Sequence, residues 1–239
     1  MALTRSEDRL APAGFLLPKP TDSTPAPQRV YEDLRERIVS LELPPGTTLS
    51  RSELAKRYDV SLTPIREAMQ RLEQDGLIRI YPQSKTVVAK IDVDQLYETH
   101  FLRVAVEVEV ARRLAERPDA AQIKKARTIL TLQQTLVGNL EEIGLFNELD
   151  EAYHQTLFAG VGQLNLHAML RAKAGHLSRA RRLDLPQEGK MREIMQAHWA
   201  VLEAIEAGDP QAAQEAMRQH LAGTVQRIEK LRSQNPDYF

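Results

Sequence analysis

The first third of the chain combines short apolar repeats with turn-forming residues. A helix is predicted over 29–41, because apolar side chains recur there at the spacing of one helical face: Val30, Leu34, Ile38 and Leu41. The segment Ser50-x-x-Glu53 has the pattern of a capping box and predicts a second helix that runs to about residue 58. Both predicted helices are short, and breakers separate them.

A third helix and a hairpin complete this region. Thr63-Pro64 fits the N-cap and first turn of the third helix, and Gly76 fits the left-handed position that ends it. Two short β-prone runs, 77–80 and 86–89, flank a turn at 82–85 and predict a hairpin. Three helices and a hairpin predict a winged helix-turn-helix. The alternative is a small α+β domain packed against the remainder of the chain.

The spacing of small and apolar residues favours the helix-turn-helix. Ala55 is small where two helices would cross, and the wedge between them would be formed by Val60, Ile65 and Ala68. The third helix then projects polar side chains outward, and an arginine in the major groove can bridge O6 and N7 of guanine. The candidates for contact with DNA bases and phosphates are Arg51, Thr63, Arg66, Gln70, Arg71 and Lys85.

From residue 94 onward, long helical stretches with few breakers replace the short ones. Six helices are predicted, at about 94–117, 119–138, 142–161, 163–183, 188–207 and 210–233. Short loops between them favour an antiparallel bundle. The predicted fold class is therefore mainly α, with a winged helix-turn-helix over 28–91 and an all-α bundle over 92–233. Residues 1–27 are predicted to be a flexible arm, and 234–239 a tail.

Charge is divided unevenly between the two predicted domains. The chain carries 32 basic and 33 acidic side chains, a formal net charge of −1 at pH 7. Residues 28–90 hold 11 basic and 9 acidic side chains, whereas residues 91–239 hold 18 and 21. A weakly basic domain needs two copies on one duplex to bind DNA tightly, which predicts a homodimer.

Composition excludes several other classes of protein. The chain contains no cysteine, which excludes a disulfide scaffold, thiolate metal sites and a cysteine nucleophile. No apolar segment of signal-peptide length is visible near Met1, and the longest uncharged run, 152–170, is too polar to cross a membrane. We therefore expect a cytoplasmic protein with no membrane partner.

Polar side chains on the apolar stripes of the bundle are the main chemical feature of the second domain. Asp150 and His154 lie one helical turn apart, and His198 and His220 lie on the apolar stripes of two later helices. Unpaired burial of these groups would cost several kcal/mol, and a divalent metal would satisfy all four together. Nitrogen and oxygen ligands suit Zn, Ni, Mn or Fe. The alternative is that each histidine has its own hydrogen-bond partner in the core.

The motifs of both halves resemble a known family of regulators. The first half resembles the DNA-binding domain of GntR-family transcriptional regulators through Val30-Tyr31-x-x-Leu34-Arg35, Leu43-Pro44-Pro45-Gly46-Thr47-x-Leu49-Ser50, Glu53-Leu54-Ala55, Val60-Ser61-x-Thr63-Pro64-Ile65-Arg66-Glu67-Ala68 and Arg71-Leu72-Glu73-x-Asp75-Gly76-Leu77-Ile78. The second half resembles the FCD effector domain of the FadR-type subfamily through Arg103-x-x-x-Glu107, Asp150-x-x-x-His154, His198, Leu202-Glu203-Ala204-Ile205-x-Ala207-Gly208-Asp209 and His220.

The resemblance implies a metabolite-responsive repressor. It implies that the Asp and three His hold a divalent metal, and that a small carboxylate metabolite binds beside it. Arg103 is the leading candidate to pair with this carboxylate, since a guanidinium matches it bidentately. Further candidates are His176, Arg179 and Arg182. The expected partner is double-stranded operator DNA with an inverted repeat, bound by a homodimer.

Two departures from the family pattern bear on operator specificity. Members commonly carry Arg where this chain has Leu62, and a basic, Gly-containing wing tip where it has Gln83-Ser84-Lys85.

Two other functions remain possible from the residues alone. One is a metalloenzyme using the Asp/His site, although neither HExxH nor GxSxG is present. The other is a non-catalytic, metal-stabilised interaction module. We expect a regulator and no enzyme.

Overall fold

The computed structural model describes residues 24–82 and 84–239, and the arm predicted over 1–27 lies outside this part up to residue 23. The first domain begins with three helices: α1 Ala26–Val39, α2 Arg51–Tyr58 and α3 Leu62–Gln74. An antiparallel hairpin follows, with β1 Ile78–Ile80 paired to β2 Thr86–Val88. The predicted winged helix-turn-helix is confirmed.

Local signals explain most of the boundaries in this domain. The Ser50 hydroxyl accepts a hydrogen bond from the Glu53 backbone amide, as the capping box predicts. Gly76 adopts a φ of 71° after α3, the left-handed conformation predicted for it. The predicted N-cap at Thr63 is wrong, because Ser61 precedes the first helical residue and Thr63 lies inside the helix.

The wing is anchored by backbone hydrogen bonds to the loop between α1 and α2. The Val88 amide donates to the Thr47 carbonyl at 2.9 Å, and the Leu49 amide donates to the Thr86 carbonyl at 2.8 Å. The loop between α1 and α2 therefore pairs with β2 and adds a short third edge to the hairpin. Apolar side chains of all three helices and both strands form the core of this domain.

Helices make up the second domain. They are α4 Val93–Glu116, α5 Ala120–Gln134, α6 Ile143–Gly160, α7 Leu164–Lys173, α8 Gly175–Asp184, α9 Lys190–Glu206, α10 Pro210–Val225 and α11 Ile228–Gln234. Asp209 caps α10 by accepting hydrogen bonds from the Gln211 and Ala212 amides, and Pro210 is its first residue, as predicted. The main core lies between α4, α5, α6, α9 and α10.

Two of the six predicted helices are interrupted. The helix predicted over 163–183 is wrong at its centre, since Ala174 leaves helical geometry and separates α7 from α8. The helix predicted over 210–233 breaks at Gln226 and Arg227. Both breaks let α8 and α11 turn towards the first domain, where a smaller apolar cluster joins Ile91 and Leu96 to these helices.

Candidate metal centre and DNA-binding face

Three histidines from three helices meet inside the bundle. His154 of α6, His198 of α9 and His220 of α10 place one ring nitrogen each within 4.8 Å of the others. His154 Nε2 and His220 Nε2 are 3.1 Å apart. The side chains of His154 and His198 are buried, and that of His220 is partly buried. Three imidazole nitrogens this close together are a donor set that suits a divalent metal.

A carboxylate orients the His154 ring. His154 Nδ1 lies 2.6 Å from Glu107 Oε2, so Nδ1 carries the proton and the lone pair of Nε2 faces the cluster. Glu107 is held in turn by Arg103, whose Nε donates to Oε1 at 2.5 Å. Burial opposes ionisation of Glu107, but the charge of Arg103 and the hydrogen bond from His154 outweigh it and keep the pKa of this carboxyl well below its usual range.

A buried amide orients His198 in the same way. Gln133 donates from Nε2 to the Phe146 carbonyl at 3.0 Å, which leaves its Oε1 to accept from His198 Nδ1 at 3.3 Å. His198 Nε2 therefore carries the lone pair that faces the cluster. Burial lowers the pKa of His198 to about 3 and that of His220 well below its usual value, so both rings are neutral at pH 7.

Asp150 lies at the edge of the cluster. Its Oδ1 is 3.5 Å from His198 Nε2, and its Oδ2 accepts a hydrogen bond from Arg181 at 2.6 Å. Burial disfavours its charge, but the charge of Arg181 and the hydrogen bond that Arg181 donates keep its pKa well below the usual range. Among the described residues, no hydrogen bond reaches Asp150 Oδ1 or His198 Nε2, although both atoms are buried. These residues fit a metal, since a cation would satisfy both atoms.

A small cavity opens beside the cluster. Its volume is about 30 Å³, and its polar lining consists of Arg103, Glu107, Glu151, His154, His167, Arg171, Ser178 and Arg181. Such a space holds about one water molecule. The structure therefore brings Arg103, predicted from the sequence, together with Arg171 and Arg181, which sequence reasoning missed.

The other residues expected at an effector site are placed elsewhere. His176 and Arg179 lie at the N-terminal end of α8 and contact the segment that joins the two domains. Arg182, half-buried on the same helix, does not line the cavity. Helical periodicity explains the difference, because residues 178 and 181 share one face of α8 and residues 176 and 179 share another.

Most of the DNA-contact candidates are exposed. Thr63, Arg66 and Gln70 are exposed on α3, Arg51 is exposed at the start of α2, and Lys85 is exposed in the hairpin. Leu62, at the start of α3, also exposes 47% of its surface.

Arg71 is turned towards α1. Its guanidinium stacks 4.0 Å from the centre of the Tyr31 ring and donates a hydrogen bond to Gln28. Arg71, although predicted to contact DNA, therefore has its guanidinium bonded to side chains of its own domain.

Comparison with known proteins agrees with both halves of this description. The family model described as bacterial regulatory proteins, gntR family, matches residues 26–88, and the FCD domain model matches residues 96–223. Within residues 24–82 and 84–239, none of the helices has the length and apolar composition that a membrane span requires.

Relatives and solved structures carry regulator names. The chain is 36% identical over 210 residues to an uncharacterized HTH-type transcriptional regulator from Streptomyces ambofaciens, covering 88% of each chain. It is 32% identical to the HTH-type transcriptional repressor RspR of Escherichia coli strain K12, covering 90% of this chain and 94% of that protein. The solved structure of E. coli McbR/YncC has the same fold, with a TM-score of 0.71, 20% identity and coverage of 88% of this chain and 99% of that one.

These matches decide between the functions left open by the residues. They indicate a DNA-binding transcriptional regulator and not a metalloenzyme. The chain belongs to the GntR family of bacterial transcriptional regulators, with an FCD domain behind its winged helix-turn-helix.

Proposed function

We propose that this regulator is a metal-dependent repressor of the FadR type, and that a small organic acid controls its affinity for operator DNA. The observation that carries the proposal is the convergence of three histidine nitrogens, each on a different helix, next to an unpartnered carboxylate oxygen. Repressor names among the relatives support the direction of regulation.

The metal would be held by Asp150, His154, His198 and His220. A bound divalent cation would supply a positive charge and open coordination positions for a carboxylate. The ligand set contains one carboxylate and three imidazoles, which suits Zn, Ni, Mn or Fe. Glu107 and Gln133 keep two of the rings in the tautomer that a metal requires.

The effector site would lie in the cavity beside the cluster. Arg103 and Arg181 line it, and each is ion-paired to an acidic side chain, Glu107 and Asp150 respectively. A carboxylate larger than one water molecule needs these side chains to move, since the space is about 30 Å³. Entry of the acid would exchange an internal ion pair for a pair between an arginine and the ligand.

Operator DNA would be bound by a homodimer at an inverted repeat. The exposed side chains of α3, chiefly Thr63, Arg66 and Gln70, would enter the major groove, while Arg51 and Lys85 would contact phosphates. Release by the effector requires that the acid bind the free and DNA-bound forms with different affinity.

Binding of metal and effector is tested by the melting temperature of the protein, because a ligand that binds only the folded chain raises it. The chain is freed of metal with a chelator, and its melting temperature is measured with Zn²⁺, Ni²⁺ or Mn²⁺, alone and then with succinate, malate, lactate or gluconate. A ligand at 100 times its dissociation constant stabilises the folded state by about 2.7 kcal/mol. We expect a rise with metal and a second rise with at least one acid. The same acid should release operator DNA in a gel-shift assay; an acid that stabilises the protein and leaves the complex intact contradicts the proposal.

The DNA-binding face is tested by one substitution. Arg66→Ala should weaken binding to an operator selected by the wild-type chain from a random duplex library, by about 1–3 kcal/mol if Arg66 contacts a base bidentately. Arg192→Ala, which removes an exposed arginine of α9, is the control. Equal affinities of the wild-type chain and Arg66→Ala would remove Arg66 from the recognition surface.

A further inference from the structure

The four residues that join the two domains, 89–92, are hydrogen-bonded to the C-terminal half of the chain, and side chains of α8 bind three of them. Arg179 of α8 is fully buried, with 0% of its surface exposed. Its Nη1 donates to the Ala89 carbonyl at 2.6 Å, and its Nη2 donates to the Lys90 carbonyl at 3.2 Å. Burial lowers the pKa of Arg179 to about 10. The cation is thus held by backbone carbonyls of the linker, in a place where its burial is costly.

His176 joins the same linker to the end of the recognition helix. Its Nδ1 accepts a hydrogen bond from the Asp92 amide at 2.9 Å and lies 2.9 Å from Arg179 Nη2. On its other side the ring lies so close to Gly76 that a Cβ there would come within 2.9 Å of Nε2. Burial, followed by the charge of Arg179, lowers the pKa of His176 to about 4, which keeps the ring neutral and Nδ1 an acceptor.

Two further contacts hold this junction. Gly175, the first residue of α8, lies against Leu77, and a Cβ at Gly175 would be 2.7 Å from Leu77 Cδ2. The Ile91 amide donates to the Tyr238 carbonyl at 2.7 Å. These contacts join α8, and at Tyr238 the segment after α11, to the linker or to the turn that ends α3. A linker whose backbone groups are bonded to a packed helix is not a flexible tether.

We propose that His176 and Arg179 are positioning residues for operator binding. They do not touch DNA; they hold the C-terminal end of α3 and the linker against α8, so that the recognition helix leaves the bundle in one orientation. A recognition helix held in the bound orientation loses less conformational freedom on binding. This role does not depend on the metal or the effector. The experiment can therefore reject it without rejecting the proposed function.

The test uses the full chain without added metal or acid. Arg179→Met keeps the length of the side chain and removes the donors, and Arg192→Met on exposed α9 is the matched control. His176→Leu removes the acceptor, whereas His176→Asn keeps an oxygen near the position of Nδ1. Hydrogen exchange is measured at the Ile91 and Asp92 amides, and affinity is measured for a selected operator and for a duplex of random sequence.

For Arg179→Met and His176→Leu we expect exchange at the two linker amides to be at least tenfold faster, with the amides inside α3 and α9 unchanged. Operator affinity should fall about tenfold or more, since the helix must be ordered on binding, while affinity for random DNA stays constant. His176→Asn and Arg192→Met should behave as wild type.

Three results would overturn the proposal. One is unchanged linker exchange in the two disruptive variants. Another is an equal loss of operator and random-DNA affinity, which would show a general loss of fold. The third is equal behaviour of His176→Leu and His176→Asn. This last comparison decides the matter even if Arg179→Met does not fold, because both His176 variants keep the arginine.

Discussion

Buried histidines at two places in the protein, inside the bundle and beside the linker, differ in what their ring nitrogens face. In the bundle, His154 and His198 each give Nδ1 to a protein acceptor and turn Nε2 towards a point shared with His220. At the linker, His176 uses Nδ1 to accept the Asp92 amide. The first arrangement leaves lone pairs for a ligand, and the second uses the lone pair to hold the chain.

Electrostatics alone does not separate the two regions. Burial lowers the pKa of His198 to about 3 and that of His176 to about 4, so both rings are neutral at pH 7. A strongly lowered histidine pKa therefore marks burial in this protein, and the partners of the two ring nitrogens mark function. The four predictions below test this distinction, beginning with the largest expected effect.

The first prediction removes two rings of the cluster. His198→Ala combined with His220→Ala should lose all stoichiometric divalent metal, measured by elemental analysis after purification in the presence of metal, because only one imidazole remains. His100→Ala, a partly exposed histidine of α4, is the control and should keep its metal. Metal retained by the double variant would show that the cluster is a structural set of core histidines.

The second prediction concerns the residue that orients His198. Gln133→Leu should lower metal affinity about 10–100-fold, since the acceptor that fixes the His198 tautomer is lost. Metal affinity is measured by competition with a chromogenic chelator. Gln134→Leu, at the exposed neighbouring position, is the matched control. The same affinity in both variants would mean that His198 needs no orienting partner.

The third prediction compares two glycines with positive φ. Gly46 has a φ of 85°, and an added Cβ there would meet no atom of the described residues within 4 Å. At Gly76, with a φ of 71°, an added Cβ would lie 2.8 Å from Oε1 of the Gln95 side chain and 2.9 Å from Nε2 of the buried His176 ring. Both alanine variants bear the left-handed strain, but Gly76→Ala should cost about 1–3 kcal/mol more because it overpacks the junction. Urea unfolding measures the free energy of unfolding of each variant. Equal losses of stability in the two variants would show that the side chains near Gly76, those of Gln95 and His176, move aside without cost.

The fourth prediction is a pH dependence carried by His176. Its folded pKa of about 4 lies below the ordinary value of 6.5, so the unfolded chain binds the proton first as pH falls. His176 therefore contributes stability above pH 6.5, and that stability is lost towards pH 4, by about 1.4 kcal/mol per pH unit at most. The unfolding free energy of wild type should therefore fall relative to that of His176→Asn as pH falls through this window; a constant difference between the two would contradict the lowered pKa.

Local signals in the sequence were enough for much of the fold. The capping box at Ser50, the left-handed Gly76 and the Asp209-Pro210 helix start depend on residues within one or two turns of chain, and the structure has all three. The break at Ala174 was not predicted, because alanine has no tendency to end a helix. The break lies where Gly175 packs so closely against Leu77 of the other domain that a Cβ would be 2.7 Å from Leu77 Cδ2, a contact that the sequence does not reveal.

The candidate site likewise combines residues that the spacing along one helix predicts with partners that only helix packing brings together. Spacing along single helices was sufficient to propose the three histidines and Asp150, because an apolar stripe is a property of one helix. Gln133 reaches His198 from α5, and Arg181 reaches Asp150 from α8. Neither partnership has a signature in sequence, since each depends on which helices become neighbours and at what rotation.

Residue order was thus sufficient for the class of fold, the family motifs and the donor types that a metal would use. Tertiary packing decided which nitrogen of each histidine is free, which arginines reach the cavity, and that His176 and Arg179 hold the linker. The physical reason is range along the chain. Caps, turns and helix periodicity act over a few residues, whereas the direction of the lone pair of His198 or His176 depends on a partner 65 or 84 residues away.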